Sequence, residues 1–114
     1  ANVFFLAWYN GEIAGYAKLG YNQKPEAKDL AKPVELERIY VLKKFYSNKI
    51  GAALMEKCLA HASAHKDATI WLGVWQHNHR AVNFYKQWGF EFYGTHRFVL
   101  GDDVQTDELM KRTL

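Results

Sequence analysis

Apolar and polar residues alternate along the first part of the chain with the two-residue period of β-strands. Two aromatic-rich runs, residues 2–9 and 12–21, flank the dipeptide Asn10-Gly11. Because Asn and Gly both tolerate the positive φ of a type I′ turn, this pattern predicts a β-hairpin. The polar stretch 22–32 is predicted to be a loop, and the alternating run VELERIYVL, residues 34–42, a third strand.

From Ile50 the apolar period lengthens to that of an α-helix. One face of this helix is predicted to carry Ile50, Leu54, Cys58, His61 and His65, with Ala53 and Ala62 beside it. The nearly continuous apolar run TIWLGVW, residues 69–75, predicts a central strand that is buried on both faces.

A second helix is predicted to begin after Asn78, which is a good N-cap, and to end at Gly89 in the left-handed C′ position. Its buried residues are predicted to be Ala81, Phe84, Tyr85 and Trp88, with Phe90 folding back on its last turn. Two strands, about 91–99 and 105–113, should follow. The order β-hairpin, β, α, β, α, β, β predicts an α/β (α+β) fold in which helices pack on a mixed sheet.

Length and composition predict one folded domain over residues 1–114. The chain has 114 residues, of which 49% are hydrophobic, enough for one core and too few for two domains. The net charge of +3 is small and no long Lys/Arg run is present, so extended nucleic-acid binding is not expected.

Cys58 is the only cysteine, so no intrachain disulfide can form, and a reducing compartment is expected. The opening apolar run VFFLAWY is too short to span a bilayer and lacks the flanks of a signal peptide. The sequence therefore predicts a soluble, cytoplasmic protein that does not bind membranes.

Residues 45–54, FYSNKIGAAL, lie between the third strand and the first helix. The first N–H groups of a helix are unpaired, and such loops often bind phosphate groups. The loop has one glycine, Gly51, and a lysine, Lys49, where a second glycine would be expected. From these residues alone, an ordinary connection that binds nothing is favoured, because one glycine is a weak signal.

The combination of ELERIYV, YSNKIGAALM and NHRAVNFYKQWGF resembles the GNAT superfamily of acetyl-CoA-dependent N-acetyltransferases, and most closely its PaiA-type spermidine/spermine acetyltransferases. The second-helix pattern of that family is complete here, with Asn78, Ala81, Phe84, Tyr85, Gly89 and Phe90. The resemblance implies a mixed, mostly antiparallel sheet and a reaction that moves acetyl from acetyl-CoA to a primary amine.

Three departures from the family pattern affect what the resemblance implies. Tyr46 stands at the family's loop Arg/Gln, and Lys49 stands at its first loop glycine. The chain also begins at what would be the family's second strand, without the first strand and the two helices that wall the acceptor groove. We therefore expect either a fragment or a chain that takes this wall from a partner, such as a second copy in a homodimer.

The resemblance assigns two catalytic roles. Glu37 would be the base that removes a proton from the amine, directly or through water, and Tyr85 the acid that protonates the departing CoA thiolate. The alternative for Glu37 is a strand residue paired with a lysine, and for Tyr85 a core tyrosine. Glu35 shares the face of Glu37 and would bind a cationic acceptor, whereas Arg38 is expected on the opposite face.

The remaining implied roles concern acetyl-CoA, the only cofactor expected. Backbone groups of Ile39, Tyr40 and Val41 would pair with the pantetheine arm, with the Val41 N–H stabilising the oxyanion. The phosphate-binding residues would be Ser47, Asn48, Lys49, Ile50, Gly51 and Ala52, together with Asn78 on the second helix.

No metal site is expected, because His61 and His65 in HASAH lack the glutamate of a zinc helix and a third ligand. The favoured acceptor is a polyamine or another small amine. Two alternatives remain open: a protein N-terminal or lysine acetyltransferase, and a non-catalytic acyl-CoA-binding module.

Overall fold

The computed structural model describes residues 2–114 and has the predicted order of elements. The strands are β1 (Asn2–Tyr9), β2 (Glu12–Gly20), β3 (Pro33–Val41), β4 (Thr69–Trp75), β5 (Glu91–Leu100) and β6 (Asp103–Thr113). The α-helices are α1 (Ile50–Ala62) and α2 (His79–Gln87), and the short 3₁₀ helices are Pro25–Ala27 and Lys43–Asn48. The segment before α1, predicted as a loop, is therefore largely helical.

The strands form one sheet in the order β1-β2-β3-β4-β6-β5. All neighbouring pairs are antiparallel except β3 and β4, whose parallel pairing joins only Pro33–Glu35 to Thr69–Trp71. The prediction of a mixed, mostly antiparallel sheet is confirmed.

Two local predictions rest on positive φ angles and both are confirmed. The hairpin between β1 and β2 turns at Asn10 and Gly11, with φ of 49° and 80°. Gly89 follows α2 with φ 85°, and the Phe90 N–H donates to the Tyr85 carbonyl oxygen at 3.1 Å. That hydrogen bond brings Phe90 back onto the core, where it is buried.

Both helices pack on one face of the sheet, but only α1 fully buries residues that were predicted for it. Helix α1 buries Ile50, Leu54, Met55, Cys58 and Ala62. His61 is exposed, and the prediction that the helix continues to His65 is wrong. The last regular i→i−4 hydrogen bond runs from the Ser63 N–H to the Leu59 carbonyl oxygen; the next two N–H groups, of Ala64 and His65, donate to residues three positions back, as in a 3₁₀ turn. Helix α2 buries Val82, while its four predicted core residues are half-buried.

The opposite face of the sheet carries a small second cluster of Ala27, Trp71 and Leu109, against which Leu30 and Tyr93 pack. Trp71 lies on this face, Trp88 lies on the helix face, and Trp75 is 47% exposed. Trp71 and Trp88 therefore lie on opposite faces of the sheet.

A β-bulge between β2 and β3 changes which residues share a face. The pairing register shifts between Lys18 and Leu19, so that Lys18 pairs with Arg38 and Leu19 with Leu36. Glu37 is the extra residue, and its carboxylate reaches Lys18. Glu37 and Arg38 therefore lie on the same face, and the predicted opposite placement is wrong because the bulge breaks the alternation of side chains.

Neither α-helix in residues 2–114 has the length or the apolar content of a membrane span.

Candidate acetyl-CoA site

A gap opens in the sheet where β3 and β4 separate. Their pairing ends at Glu35 and Trp71, although β3 continues to Val41 and β4 to Trp75. Beyond β3, the Leu42 N–H donates to the Ala14 carbonyl oxygen at 2.8 Å. Because backbone groups alternate in direction along a strand, the N–H and C=O of Ile39 and Val41 point into the gap, whereas those of Tyr40 point to β2.

Helix α1 begins at the wide end of this gap with unpaired donors. Its first intrahelical hydrogen bond runs from the Ala53 N–H to the Lys49 carbonyl oxygen at 3.1 Å. The N–H groups of Ile50, Gly51 and Ala52 precede that bond, and the Lys49 side chain does not cap them. The helix start therefore has the arrangement that binds anions.

An open cleft of about 330 Å³ lies beside these donors. It is lined by Tyr40, Val41, Tyr46, Lys49, Gly51, Ala52, Asn78, Arg80, Ala81 and Phe84. Six of the predicted cofactor-binding residues belong to this lining: Tyr40, Val41, Lys49, Gly51, Ala52 and Asn78. The other four, Ile39, Ser47, Asn48 and Ile50, do not line the cleft, although they are close in sequence to residues that do.

Lys49 adopts the left-handed conformation, with φ 59° and ψ 27°, immediately before α1. Glycine would adopt this conformation without strain, whereas lysine adopts it at a cost. The side chain is exposed and lines the cleft. The position thus has the backbone of a glycine and the charge of an ammonium.

Arg80, in the first turn of α2, is a cleft residue that the sequence reasoning missed. Its guanidinium carbon lies 3.8 Å from the centre of the Tyr46 ring, a stacked cation–π contact. Stacking leaves the in-plane N–H donors available for a ligand. The signal was an arginine two residues after a helix N-cap, but its contact with Tyr46 joins α2 to the 3₁₀ helix Lys43–Asn48.

Asn78 is the predicted N-cap of α2, since its Oδ1 accepts a hydrogen bond from the Ala81 N–H at 3.2 Å. The side-chain oxygen is therefore occupied, and the amide NH₂ remains to face the cleft.

Tyr85 is half-buried on the sheet side of α2, between the rings of Phe84 and Phe90. Burial, and to a smaller extent Cys58, raises the pKa of its hydroxyl to about 12. The hydroxyl therefore stays protonated at neutral pH, as a proton donor must. Tyr85 does not line the cleft; its neighbour Phe84 does. Cys58 is itself buried, and burial raises its thiol pKa to about 12, which makes it a poor nucleophile.

Glu37 forms an ion pair with a lysine, which is the alternative to a catalytic role that the sequence analysis gave for it. Its Oε1 lies 3.1 Å from the Lys18 Nζ, and its Oε2 occupies the space that a side chain at Gly20 would need. The carboxylate therefore leans over β2, away from β4. Glu35, the predicted acceptor-binding residue, lies 2.7 Å from the Lys24 Nζ.

His61 and His65, the two histidines considered as metal ligands, both contact Tyr21. The Tyr21 hydroxyl and the His61 Nδ1 are 2.7 Å apart, and the His65 ring lies against Tyr21. Within residues 2–114, no group of three His, Cys, Asp or Glu side chains is arranged to hold a metal ion.

Comparisons with known proteins identify the family. Residues 1–90 match the model of the acetyltransferase (GNAT) family. An uncharacterized N-acetyltransferase of Lactobacillus delbrueckii subsp. lactis, from the pepI 3′ region, is 39% identical over 111 residues, which are 97% of this chain and 64% of that relative. The chain thus spans somewhat less than two thirds of that relative, and it belongs to the acetyltransferase (GNAT) family.

Two further comparisons bear on the fold and on the subfamily. The structure of Arabidopsis thaliana Naa50 with a bisubstrate analogue superposes with a TM-score of 0.83 and 24% identity, covering 97% of this chain and 72% of that one, which supports the fold. The spermine/spermidine N(1)-acetyltransferase of Bacillus subtilis is 25% identical over 90% of this chain and 67% of its own length. The resemblance to polyamine acetyltransferases is therefore distant.

Proposed function

We propose that this chain transfers an acetyl group from acetyl-CoA to a primary amine by direct attack, without an acyl-enzyme. The observation that carries the proposal is the gap between β3 and β4, which leads into a cleft bordered by the start of α1 and two cationic side chains. A strand gap accepts an extended arm with amide groups, and a helix start accepts phosphates.

The pantetheine arm of acetyl-CoA would lie in the gap and pair with the backbone of Ile39 and Val41. Its pyrophosphate would accept hydrogen bonds from the N–H groups at the start of α1. Lys49 and Arg80 would contact the phosphates, with Arg80 serving in place of the loop Arg/Gln that is Tyr46 in this chain. In this arrangement the charge of Lys49 would replace the close backbone approach that a glycine would allow.

In the reaction, the amine nitrogen attacks the thioester carbonyl carbon, the C–S bond then breaks, and CoA leaves as a thiolate. The Val41 N–H, which points into the gap, would stabilise the oxyanion. Tyr85 would donate its proton to the thiolate. Glu37 would remove the amine proton through a water molecule, because its carboxylate leans towards Lys18. A protonated alkylamine has no lone pair for the attack, so this step is required.

A small amine, with polyamines favoured, is the proposed acceptor. The support is the distant similarity to a spermine/spermidine acetyltransferase. A protein N-terminus or lysine is the alternative.

The test measures CoA thiol release from acetyl-CoA with spermidine, other small amines and peptides bearing a free α-amine or lysine. We expect release that depends on the amine, and the preferred amine identifies the acceptor class. Tight acetyl-CoA binding without release for any amine would favour a non-catalytic acyl-CoA-binding module instead. That second candidate is supported by the engaged carboxylate of Glu37 and by the position of Tyr85 outside the cleft lining.

A further inference from the structure

A carboxylate that the sequence reasoning did not consider lies beside β4, the strand that forms one edge of the gap, on the face opposite the helices. Asp107 on β6 pairs in register with Trp75 on β4, and Leu109 pairs with Gly73. Residues directly opposite each other in an antiparallel pair share a face, so Asp107, Trp75 and Gly73 lie together. A Cβ built at Gly73 would lie 3.4 Å from the Asp107 Oδ2. The carboxylate thus extends over Gly73, on the strand that forms one edge of the gap.

Asp107 differs in its charge environment from the other carboxylates near this face. Three of them have a cationic or histidine partner: Glu35 with Lys24 at 2.7 Å, Glu37 with Lys18 at 3.1 Å, and Glu26 with His96 at 3.6 Å. Asp107 makes no ion pair or side-chain hydrogen bond within residues 2–114. Burial raises the pKa of its carboxyl above the ordinary value, and His96 opposes that shift. Unlike Glu35 and Glu37, this partly buried carboxylate has no lysine partner within residues 2–114; the residue directly opposite it on β5 is His96.

Trp75 supplies a second element of cation recognition at the same place. Its side chain is 47% exposed, and its ring makes a T-shaped contact with His77, with 5.1 Å between the ring centroids. An exposed indole attracts an ammonium through its π face, and a carboxylate beside it accepts charge-assisted hydrogen bonds. Gly73 has no side chain to occupy the space in front of Asp107.

We propose that Asp107 and Trp75 bind an ammonium group of the acceptor above Gly73. The inference rests on the proposed function, because it takes the occupant to be the amine that receives the acetyl group. It adds the residues that recognise the acceptor. Neither Glu35 nor Glu37 could bind an ammonium group without leaving its lysine. The ligand class is an alkylammonium, as carried by polyamines, by lysine side chains and by chain N-termini.

The test compares wild type with Asp107→Asn and Trp75→Leu, and uses Asp103→Asn as the matched control. Asn is nearly isosteric with Asp and no hydrogen bond of Asp107 is lost, while Asp103 is an exposed aspartate of the same strand at its far end. The substrates are spermidine and trifluoroethylamine, an amine that is uncharged at neutral pH and therefore carries no ammonium.

For Asp107→Asn we expect a KM for spermidine that is roughly 10- to 100-fold higher, as for a lost charge-assisted hydrogen bond, with kcat little changed. For Trp75→Leu we expect a smaller increase, and for Asp103→Asn none. The KM for trifluoroethylamine should be the same in all four proteins. An unchanged KM for spermidine in Asp107→Asn, or an equal rise for trifluoroethylamine, would overturn the proposal.

Calorimetric titration of spermidine and of acetyl-CoA separates this proposal from the proposed function. If the protein shows no turnover, and Asp107→Asn loses spermidine binding while Asp103→Asn keeps it, the ammonium site is supported and the transferase is refuted. If the protein turns over spermidine and Asp107→Asn has the wild-type KM and affinity for spermidine, the transferase is supported and the ammonium site is refuted.

Discussion

Replacing Lys49 by glycine should stabilise the protein, although it removes a side chain from the proposed ligand cleft. Lys49 has φ 59° and ψ 27°, and a non-glycine residue in this region loses about 1–2 kcal/mol. Glycine is more flexible in the unfolded chain, and this flexibility offsets roughly 0.5–1 kcal/mol of the stability gained by removing the strain. The Lys49 side chain makes no capping hydrogen bond, so little else is lost. The net gain should be about 0.5–1 kcal/mol.

Thermal unfolding of the ligand-free protein measures this gain. At about 2.1 cal/mol/K per residue, a chain of 114 residues has an unfolding entropy that converts 1 kcal/mol into about 4 °C. Lys49→Gly should therefore raise Tm by about 2–4 °C. Lys57→Gly is the matched control, because Lys57 is exposed within α1 and the same substitution there should lower stability by roughly 0.5–1 kcal/mol. Equal signs for the two variants would refute the reasoning from φ.

The same variant should behave in the opposite way towards CoA. Lys49→Gly removes both strain and charge, whereas Lys49→Met removes the charge alone. If the ammonium contacts a phosphate, wild type should bind CoA more tightly than Lys49→Met, and the difference should shrink as salt screens the charge. Equal affinities for wild type and Lys49→Met would refute the contact. A failure of all three proteins to bind CoA would refute the proposed function itself.

Three further predictions concern buried titratable groups. Tyr85→Phe should keep its affinity for acetyl-CoA and lose about 10²- to 10⁴-fold in kcat, and a wild-type rate would make Tyr85 structural. The Cys58 thiol should react with a thiol reagent at pH 8 only after unfolding, which a time course in and out of denaturant checks. Stability should fall as pH rises from about 10 to 12, because the pKa of Tyr85 is raised to about 12 in the folded protein and tyrosines ionise near 10 when unfolded. Urea titrations across that range should show a smaller loss in Tyr85→Phe.

Features with a local cause were predictable from the sequence. The period of apolar residues located the strands and both helices, and the Asn10-Gly11 and Gly89 positions have the positive φ that their residue types indicated. The N-cap role of Asn78 likewise depends on a residue three positions later. In each case the determining interactions lie within a few residues of one another.

Features that depend on distant partners were not predictable. The bulge that puts Arg38 on the same face as Glu37 arises from the pairing of β3 with β2, and nothing in the sequence of β3 indicates it. The stacking of Arg80 on Tyr46 joins two elements that are separated by a helix and a strand. Asp107 became a candidate only when the register placed it opposite Trp75.

The short parallel pairing of β3 and β4 has a consequence for the cooperativity of the whole domain. Only three residue pairs join the unit of β1, β2 and β3 to the unit of β4, β5 and β6, so backbone continuity across the sheet is weakest at its middle. Pantetheine bound along the open edge of β3 would bridge the two units with hydrogen bonds of its own. Amide hydrogen exchange should then slow in both units when CoA binds, well beyond the contact residues, because the ligand would make the two units open together.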